Sequence, residues 1–350
     1  MSERRPVARP DARLDARLDS PPGILVRLAA RLARALLPLP LTPPLPEQLR
    51  SVLVVRTDDR VGNALLTIPL ARALARRLPG ARVDLLLAAR RAQVAQGLPG
   101  LSVIPWEKRD AFRRPWRFLR ALAALRRYDA VIDAAHWHAF SLTSALLSRW
   151  AARRWVVGAE RGPSLVYSAT VPPPLPGVPE VVAKVALLRG LGLEPPPTPA
   201  LETSLGRAPW PLGERFAALN PGARKADHRW PAERFSALAR GLRERHGLRS
   251  IVLWGPGERD LALRVCEGGA AELGPATDLE GLASAFRAAA LVVTNDTGPM
   301  HLAVACGAPV LAIFLSPDGL RWAHPGPRFE AVHPGADLAP ALEAAARLLA

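Results

Sequence analysis

Short unbroken apolar runs alternate with helical periodicity along most of this chain. In the first half the runs at 52–55, 82–87, 101–104, 130–133 and 155–157 read as buried strands. Helical patterns lie between them, at 64–78, 90–96, 115–127 and 139–150. Strands that are apolar throughout, rather than alternating, predict a parallel sheet covered on both faces by helices. After one further helix at 181–191, flanked by the proline-rich stretches 171–177 and 194–199, the alternation starts again. Strands are expected at 216–219, 250–254, 291–293, in the apolar run that follows Pro309 and at 329–332, with helices at 232–246, from about 259, at 279–290, 299–306 and 338–349. The pattern therefore predicts an α/β protein with two doubly wound, Rossmann-like domains facing a cleft. They span 51–205 and 206–350, join through a linker near 200–212, and follow a proline-rich extension over 1–50.

One stretch carries most of the chemistry. The apolar run ending at Val293 breaks at Thr294-Asn295-Asp296-Thr297-Gly298 and resumes as a helical pattern at Pro299. Proline suits the first helical position, and Thr297 or Gly298 suits the cap, so the amides of Gly298, Met300 and His301 should point out beyond the carboxyl end of a strand. Such a corner binds anions. The same residues would also serve as a plain helix cap; what favours a phosphate is His301, in the first turn, which could face it and take a proton or donate a hydrogen bond near pH 7.

Composition narrows the class. Hydrophobic residues make up 49% and charged residues 22%, as in a soluble globular protein. The formal charge of +16 is carried almost wholly by arginine, in a chain rich in Ala, Leu and Pro, so compositional bias weakens it as a sign of nucleic-acid binding. It still favours phosphorylated substrates or an anionic membrane surface. Cys266 and Cys306 form no Cys-x-x-Cys pair, which fits reduced thiols and no zinc site. No apolar run reaches the ~18 residues of a spanning helix, and acids among the arginines of the first twenty residues argue against a secretion signal. A cytoplasmic location follows. Residues 24–37 form a basic amphipathic pattern, with Arg27, Arg31 and Arg34 on one face. That helix could lie on the inner face of the membrane or dock on the folded body.

Neither common nucleotide fingerprint is present. Gly255-Pro256-Gly257 is followed by Asp260 where a dinucleotide motif needs its third glycine, and no Gly-Lys-Ser/Thr exists. Instead, the run from Thr294 to Ala303, with Phe314, Asp318, Arg321 and Trp322 beyond it, resembles the signature of glycosyltransferase family 9, the bacterial heptosyltransferases of lipopolysaccharide core assembly. Asn220-Pro221-Gly222-Ala223-Arg224 leading to Arg229-Trp230-Pro231, the loop Gly255-Pro256-Gly257-Glu258, and Gly62 with Thr67 and Pro69 match as well. The resemblance covers roughly 51–345. It implies a GT-B fold and inverting, metal-independent transfer of a sugar, typically heptose from ADP-heptose or another nucleotide-diphosphate sugar, onto a lipid-linked core acceptor.

The residues suit that chemistry. Amides of Thr297 and Gly298, with His301, could stabilise a departing diphosphate without a metal or other cofactor. Asp296 would repel phosphate and is expected to bind a hydroxyl or the amides of its own loop. Glu258 is placed for a ribose diol, though it would also suit the first turn of a helix. Arg224 and Lys225 could pair with the diphosphate or be solvated surface charges.

Two positions depart from the family. Where members carry Gly-Asp, with the aspartate as proposed base, this chain has Gly62-Asn63, and an amide cannot accept the proton. Asp58 or Asp59, earlier in that loop, could supply the carboxylate. His228 stands where a lysine is usual near the donor, which bears on donor choice. For the acceptor, Arg60, His136, His138, Arg113 and Arg114 are candidates; the last two sit in a basic, aromatic segment that would also suit nucleic acid. Asn63 motivates one alternative, a catalytically altered nucleotide-sugar-binding homologue, and the net charge a second, a polyanion-binding protein.

Overall fold

The computed structural model describes residues 23–350 except 138, 163, 212, 213, 317, 318 and 336. Two six-stranded sheets organise it. The first contains β1 (Ser51–Arg56), β2 (Arg82–Ala88), β3 (Ser102–Trp106), β4 (Tyr128–Asp133), β5 (Ala152–Ala159) and β6 (Ala169–Val171) in the order β3-β2-β1-β4-β5-β6. The second contains β7 (Phe216–Asn220), β8 (Arg249–Trp254), β9 (Glu272–Ala276), β10 (Leu291–Asn295), β11 (Val310–Ile313) and β12 (Phe329–Val332) in the order β12-β11-β10-β7-β8-β9. Every ladder is parallel. Each sheet reverses its strand order once, between β1 and β4 and between β7 and β10. Loops leaving the carboxyl ends of those four strands therefore frame a crevice in each half, which is where such sheets bind ligands.

The helices, in chain order, are α1 (Ile24–Leu36), α2 (Val61–Arg77), α3 (Asp110–Arg113), α4 (Pro115–Leu125), α5 (Leu142–Ala151), α6 (Glu180–Val185), α7 (Ala232–His246), α8 (Arg259–Cys266), α9 (Leu279–Ala288), α10 (Gly298–Ala305), α11 (Gly319–Trp322) and α12 (Ala339–Leu349). The central strands are buried on both faces, which explains their unbroken apolar runs: every residue of β7, β10 and β11 is buried. α2 is also buried along most of its length, because it packs on the first sheet and on α10 of the second. One continuous core thus joins the two halves, with Leu65, Ile68 and Leu70 in the same cluster as Met300 and Leu302.

The expected elements are present, with adjustments at their ends. The pattern over 90–96 condenses to a single turn of 3-10 helix at Ala92–Val94, and the helix expected over 181–191 is α-helical only through Val185, then 3-10 over Ala186–Leu191. Two edge strands, β6 and β9, were not expected; β6 is three residues long and β9 reads Glu-Leu-Gly-Pro-Ala, so neither carries an apolar run. The linker is pinned on both sides. Thr203 Oγ1 and Ser204 Oγ donate to the carbonyls of Val94 and Gln93, while Arg287 of α9 donates to the carbonyls of Leu205 and Thr203. Among the described residues, no helix is long and apolar enough to cross a membrane.

Candidate active site

The cleft between the sheets has a volume of about 450 Å³. From the first half, Asp59, Arg60, Gly62 and Asn63 line it; from the second, Asn220, Arg224, Lys225, His228, Glu258, Asp296, Thr297, Gly298 and His301 do, with Trp322 at its side. A larger hollow of about 950 Å³ lies against β6, but prolines and aliphatic residues make most of its wall. Convergent polar groups, the mark of a ligand site, belong to the smaller cleft.

Local sequence builds the donor side. β10 ends at Asn295, whose side-chain amide donates to the Pro221 carbonyl at 2.8 Å while its oxygen accepts from the Trp230 amide at 3.1 Å. This buried residue ties the loop after β7 to the loop before α7, fixing Arg224, Lys225 and His228 between them. Glu258 sits at the amino end of α8, where Oε2 accepts from the Gly255 amide at 3.0 Å. A β-carbon at residue 222 would collide with this carboxylate, so a larger residue there would displace Glu258.

The corner at 294–301 differs in detail from the sequence expectation. Thr297 caps α10, and Pro299 is its second residue rather than its first. The Met300 amide does not point outward; it donates to the Thr297 carbonyl at 3.1 Å. His301 is buried beneath Gly62, with Nδ1 2.7 Å from His324 Nε2. Burial and His324 hold its pKa well below the usual 6.5, so it faces the cleft as a neutral ring and not as a proton acceptor at pH 7. Asp296 does not turn to the amides of its loop. Its recorded partner is His228, 3.8 Å away, and burial raises its pKa to about 6 although His228 and Lys225 pull it down.

Across the cleft, the two carboxylates after β1 have separate surroundings. Asp58 forms an ion pair with Arg56 and accepts from Asn63 Nδ2 at 2.6 Å. Burial pushes its pKa up, but Arg56 and Asn63 outweigh that, leaving it below the ordinary range. Asp59 is more exposed, lines the cleft, and pairs with Arg91 at 2.9 Å.

The match of sequence families agrees with this geometry. The model of glycosyltransferase family 9 (heptosyltransferase) matches residues 115–344. The chain is 30% identical over 290 residues to lipopolysaccharide heptosyltransferase 1 of Escherichia coli, covering 75% of this chain and 87% of the relative. The chain belongs to glycosyltransferase family 9. Among solved structures, this glycosyltransferase resembles the E. coli heptosyltransferase WaaC with ADP, at 26% identity and a TM-score of 0.67, with 86% of this chain and 100% of the other covered. It likewise resembles WaaC with ADP-2-deoxy-2-fluoro heptose, at 26% identity and a TM-score of 0.64, covering 85% and 98%. The fold shared with these enzymes is GT-B.

Other candidates of this family 9 enzyme fall outside the cleft wall. Arg113 and Arg114 sit at the junction of α3 and α4, on the surface after β3. His138 and Asp318 lie outside the described residues. His136 belongs to a buried ionic network that no local pattern in the chain announces. At its centre Glu180, fully buried, accepts from Trp137 Nε1 at 2.9 Å and from Arg321 Nη2 at 2.9 Å, and pairs with Lys184 Nζ at 3.1 Å and His136 Nδ1 at 3.2 Å. Arg56 donates to His136 Nε2 at 2.6 Å, so the network runs on to Asp58. Among the described residues, no group of three or more His, Cys, Asp or Glu side chains is arranged to hold a metal ion.

Proposed function

We propose that this glycosyltransferase is inverting and metal-independent, and that it moves a sugar, heptose in the first instance, from a nucleotide-diphosphate sugar to a lipopolysaccharide-core or related envelope acceptor. The observation that carries the proposal is the meeting in one cleft of the amino end of α10 with Arg224, Lys225, His228 and Glu258 on one wall and Asp59, Arg60 and Asn63 on the other. ADP and an ADP-heptose analogue in the similar WaaC structures support a donor of that class.

In this mechanism the acceptor hydroxyl oxygen bonds to the anomeric carbon from the side opposite the diphosphate. The anomeric C–O bond breaks, and its electron pair leaves on the diphosphate oxygen. Charge growing there is met by the amino end of α10 and by Arg224 and Lys225, in place of a metal. Glu258 accepts from the ribose hydroxyls. His228, 3.8 Å from Asp296, takes the place of a lysine.

The hydroxyl proton goes to a carboxylate after β1, and we assign it to Asp59. Asp59 lines the cleft, whereas Asp58 is held below the ordinary range by Arg56 and is engaged in holding the Asn63 amide. The reaction would take place at the cytoplasmic face of the membrane, with residues 24–37 making a peripheral contact near the lipid-linked acceptor. A second reading rests on Asn63: a homologue that binds nucleotide sugars without turning them over.

The deciding experiment incubates the protein with ADP-heptose, other nucleotide sugars and a lipid-linked core acceptor in the presence of EDTA, and follows release of the nucleotide diphosphate. Acceptor-dependent release supports the transferase. Tight binding without release favours the second reading. Release that requires added divalent metal overturns the metal-independent mechanism.

A further inference from the structure

α1 is mounted the opposite way from a helix that only covers a core. It buries Ala30 and Ala33 while Ile24, Leu25, Leu28, Leu32 and Leu36 stand 52–81% exposed. Arg27, Arg31 and Arg34 flank that row, and the helix contains no acid. Its attachment is nevertheless specific. Arg149 of α5 donates from Nε to the Ala33 carbonyl at 3.3 Å and from Nη1 to the Val166 carbonyl at 2.8 Å.

The other flank of α5 repeats the pattern. Phe112 of α3 is 93% exposed, and Trp116 and Leu119 of α4 are 80% and 50% exposed. Arg113, Arg114, Arg117 and Arg120 surround them, and α4 contains no acid. Trp150, next to Arg149 in α5, donates from Nε1 to the Leu122 carbonyl at 2.8 Å and lies under Arg126 at 5.1 Å. Consecutive residues of α5 thus hold both rows on one layer of the first domain. They also run the same way. α4 leads from the end of β3, where Phe118 meets Trp106 at 5.2 Å, toward the start of β4. Leu37, just past α1, lies beside Ala152, the first residue of β5, so α1 too descends from the carboxyl rim. The catalytic cleft opens at that same rim.

We infer that α1 and the α3–α4 segment together form one bilayer-docking surface, each seating an apolar row in the interface of an anionic leaflet with its arginines at the headgroups. The charge selects the occupant. A second copy placed on this face would bring arginine against arginine, whereas an anionic lipid surface complements both rows. This inference extends the peripheral contact proposed for residues 24–37. It does not depend on the chemistry assigned to the cleft.

The test uses the full chain and co-sedimentation with phosphatidylcholine vesicles, with and without phosphatidylglycerol, at low and high salt. Two pairs of substitutions address the rows separately: Leu28→Ser with Leu32→Ser, and Phe112→Ser with Trp116→Ser. All four side chains are exposed, so circular dichroism and unfolding temperature should stay those of the parent. The expected result is binding to the phosphatidylglycerol vesicles that weakens with salt, and a loss of about tenfold or more in partitioning for each pair. Loss with the first pair alone overturns the two-row surface but keeps the α1 contact. Absence of binding, or parental binding by both pairs, overturns both. A salt-resistant dimer in solution that the leucine pair dissolves overturns the lipid as occupant.

Discussion

Gly62 lies so close above His301 that a β-carbon at residue 62 would collide with Cδ2 of the imidazole. The first turn of α2 and the first turn of α10 therefore pack directly, the Gly62 backbone against the His301 ring. The reciprocal position is nearly as tight, since a β-carbon on Gly298 would stand 2.6 Å from Cγ1 of Val61. The two glycines set the distance between the proposed donor corner and the acceptor loop. Gly62→Ala should destabilise the protein by about 1–3 kcal/mol, because the packed ring must be displaced to admit the methyl group. It should lower turnover by on the order of a hundredfold by widening the gap between reactants. Unfolding by denaturant and steady-state kinetics measure the two effects. The double variant Gly62→Ala with His301→Ala should recover part of the lost stability, whereas simple additivity would show that the ring is not the obstacle.

Asp58 and Asp59 are neighbours in sequence with opposite assignments, so their amides should behave differently. Asp59→Asn is expected to reduce kcat by about 10²–10⁴-fold while leaving the donor KM near its parental value. Asp58→Asn removes the charge that pairs with Arg56 and leaves the Asn63 amide only a neutral, weaker acceptor. It should lower stability and raise KM, because it disturbs a loop and not a proton transfer. Restoring Asn63→Asp in the Asp59→Asn background should return activity if residue 63 can serve in the family's usual way. Equal kcat losses in the two single variants would contradict the assignment of Asp59.

Much of this site is legible in the chain because its parts are local. The corner at 294–301 is a strand, a turn and a helix start in consecutive residues, and the boundaries of α7 and β12 coincide with their hydrophobic patterns. What is illegible depends on partners distant in sequence. Glu180 lies in an unremarkable helix between proline-rich segments, and its meaning comes from His136, Trp137 and Arg321, the last 141 residues away. The neutrality of His301 has the same origin, since burial beneath Gly62 and contact with His324 are tertiary facts. Arg113 and Arg114 carry the charge suited to an acceptor site, yet chain topology carries them to the outer layer, because α3 and α4 follow an outer strand of the sheet.

Asp296 is a buried acid whose pKa rises from the ordinary 3.8 to about 6 in the unliganded protein. A raised carboxyl pKa stabilises the fold at low pH: the benefit is full below the unfolded value and is lost as pH climbs through the folded one. Between about pH 4 and pH 6 the parent should lose on the order of 2–3 kcal/mol from this group, and the loss should stay constant above that window. Asp296→Asn should therefore unfold at a higher temperature than the parent at pH 8, with the difference closing toward pH 4. The same substitution should weaken donor use severely. A parent and variant whose stability curves run parallel across that window would show that the carboxylate is not desolvated as described.

Glu180 presents the opposite case. Burial alone would raise its pKa, but Lys184, His136 and Arg321 hold it well below the ordinary 4.5, so its contribution is present above that value and is lost as pH falls through the folded one. Arg321 comes from the second half of the chain, so this carboxylate also joins the two domains at the side of the cleft. Glu180→Gln keeps the shape but leaves Lys184 and Arg321 facing a neutral amide in a buried site. The expected loss is about 3–5 kcal/mol at pH 7, shrinking below pH 4.5 as the parent's own carboxylate becomes protonated. The Lys184 ammonium, already lowered to about 8 by burial, should lose its proton at a still lower pH in the variant, which NMR of the labelled side chain would detect. Because Glu180 holds Arg321 close to Trp322 in the cleft wall, the variant should also raise the donor KM. A variant with parental stability at pH 7 and parental KM would mean that the network neither holds the domains together nor supports the site.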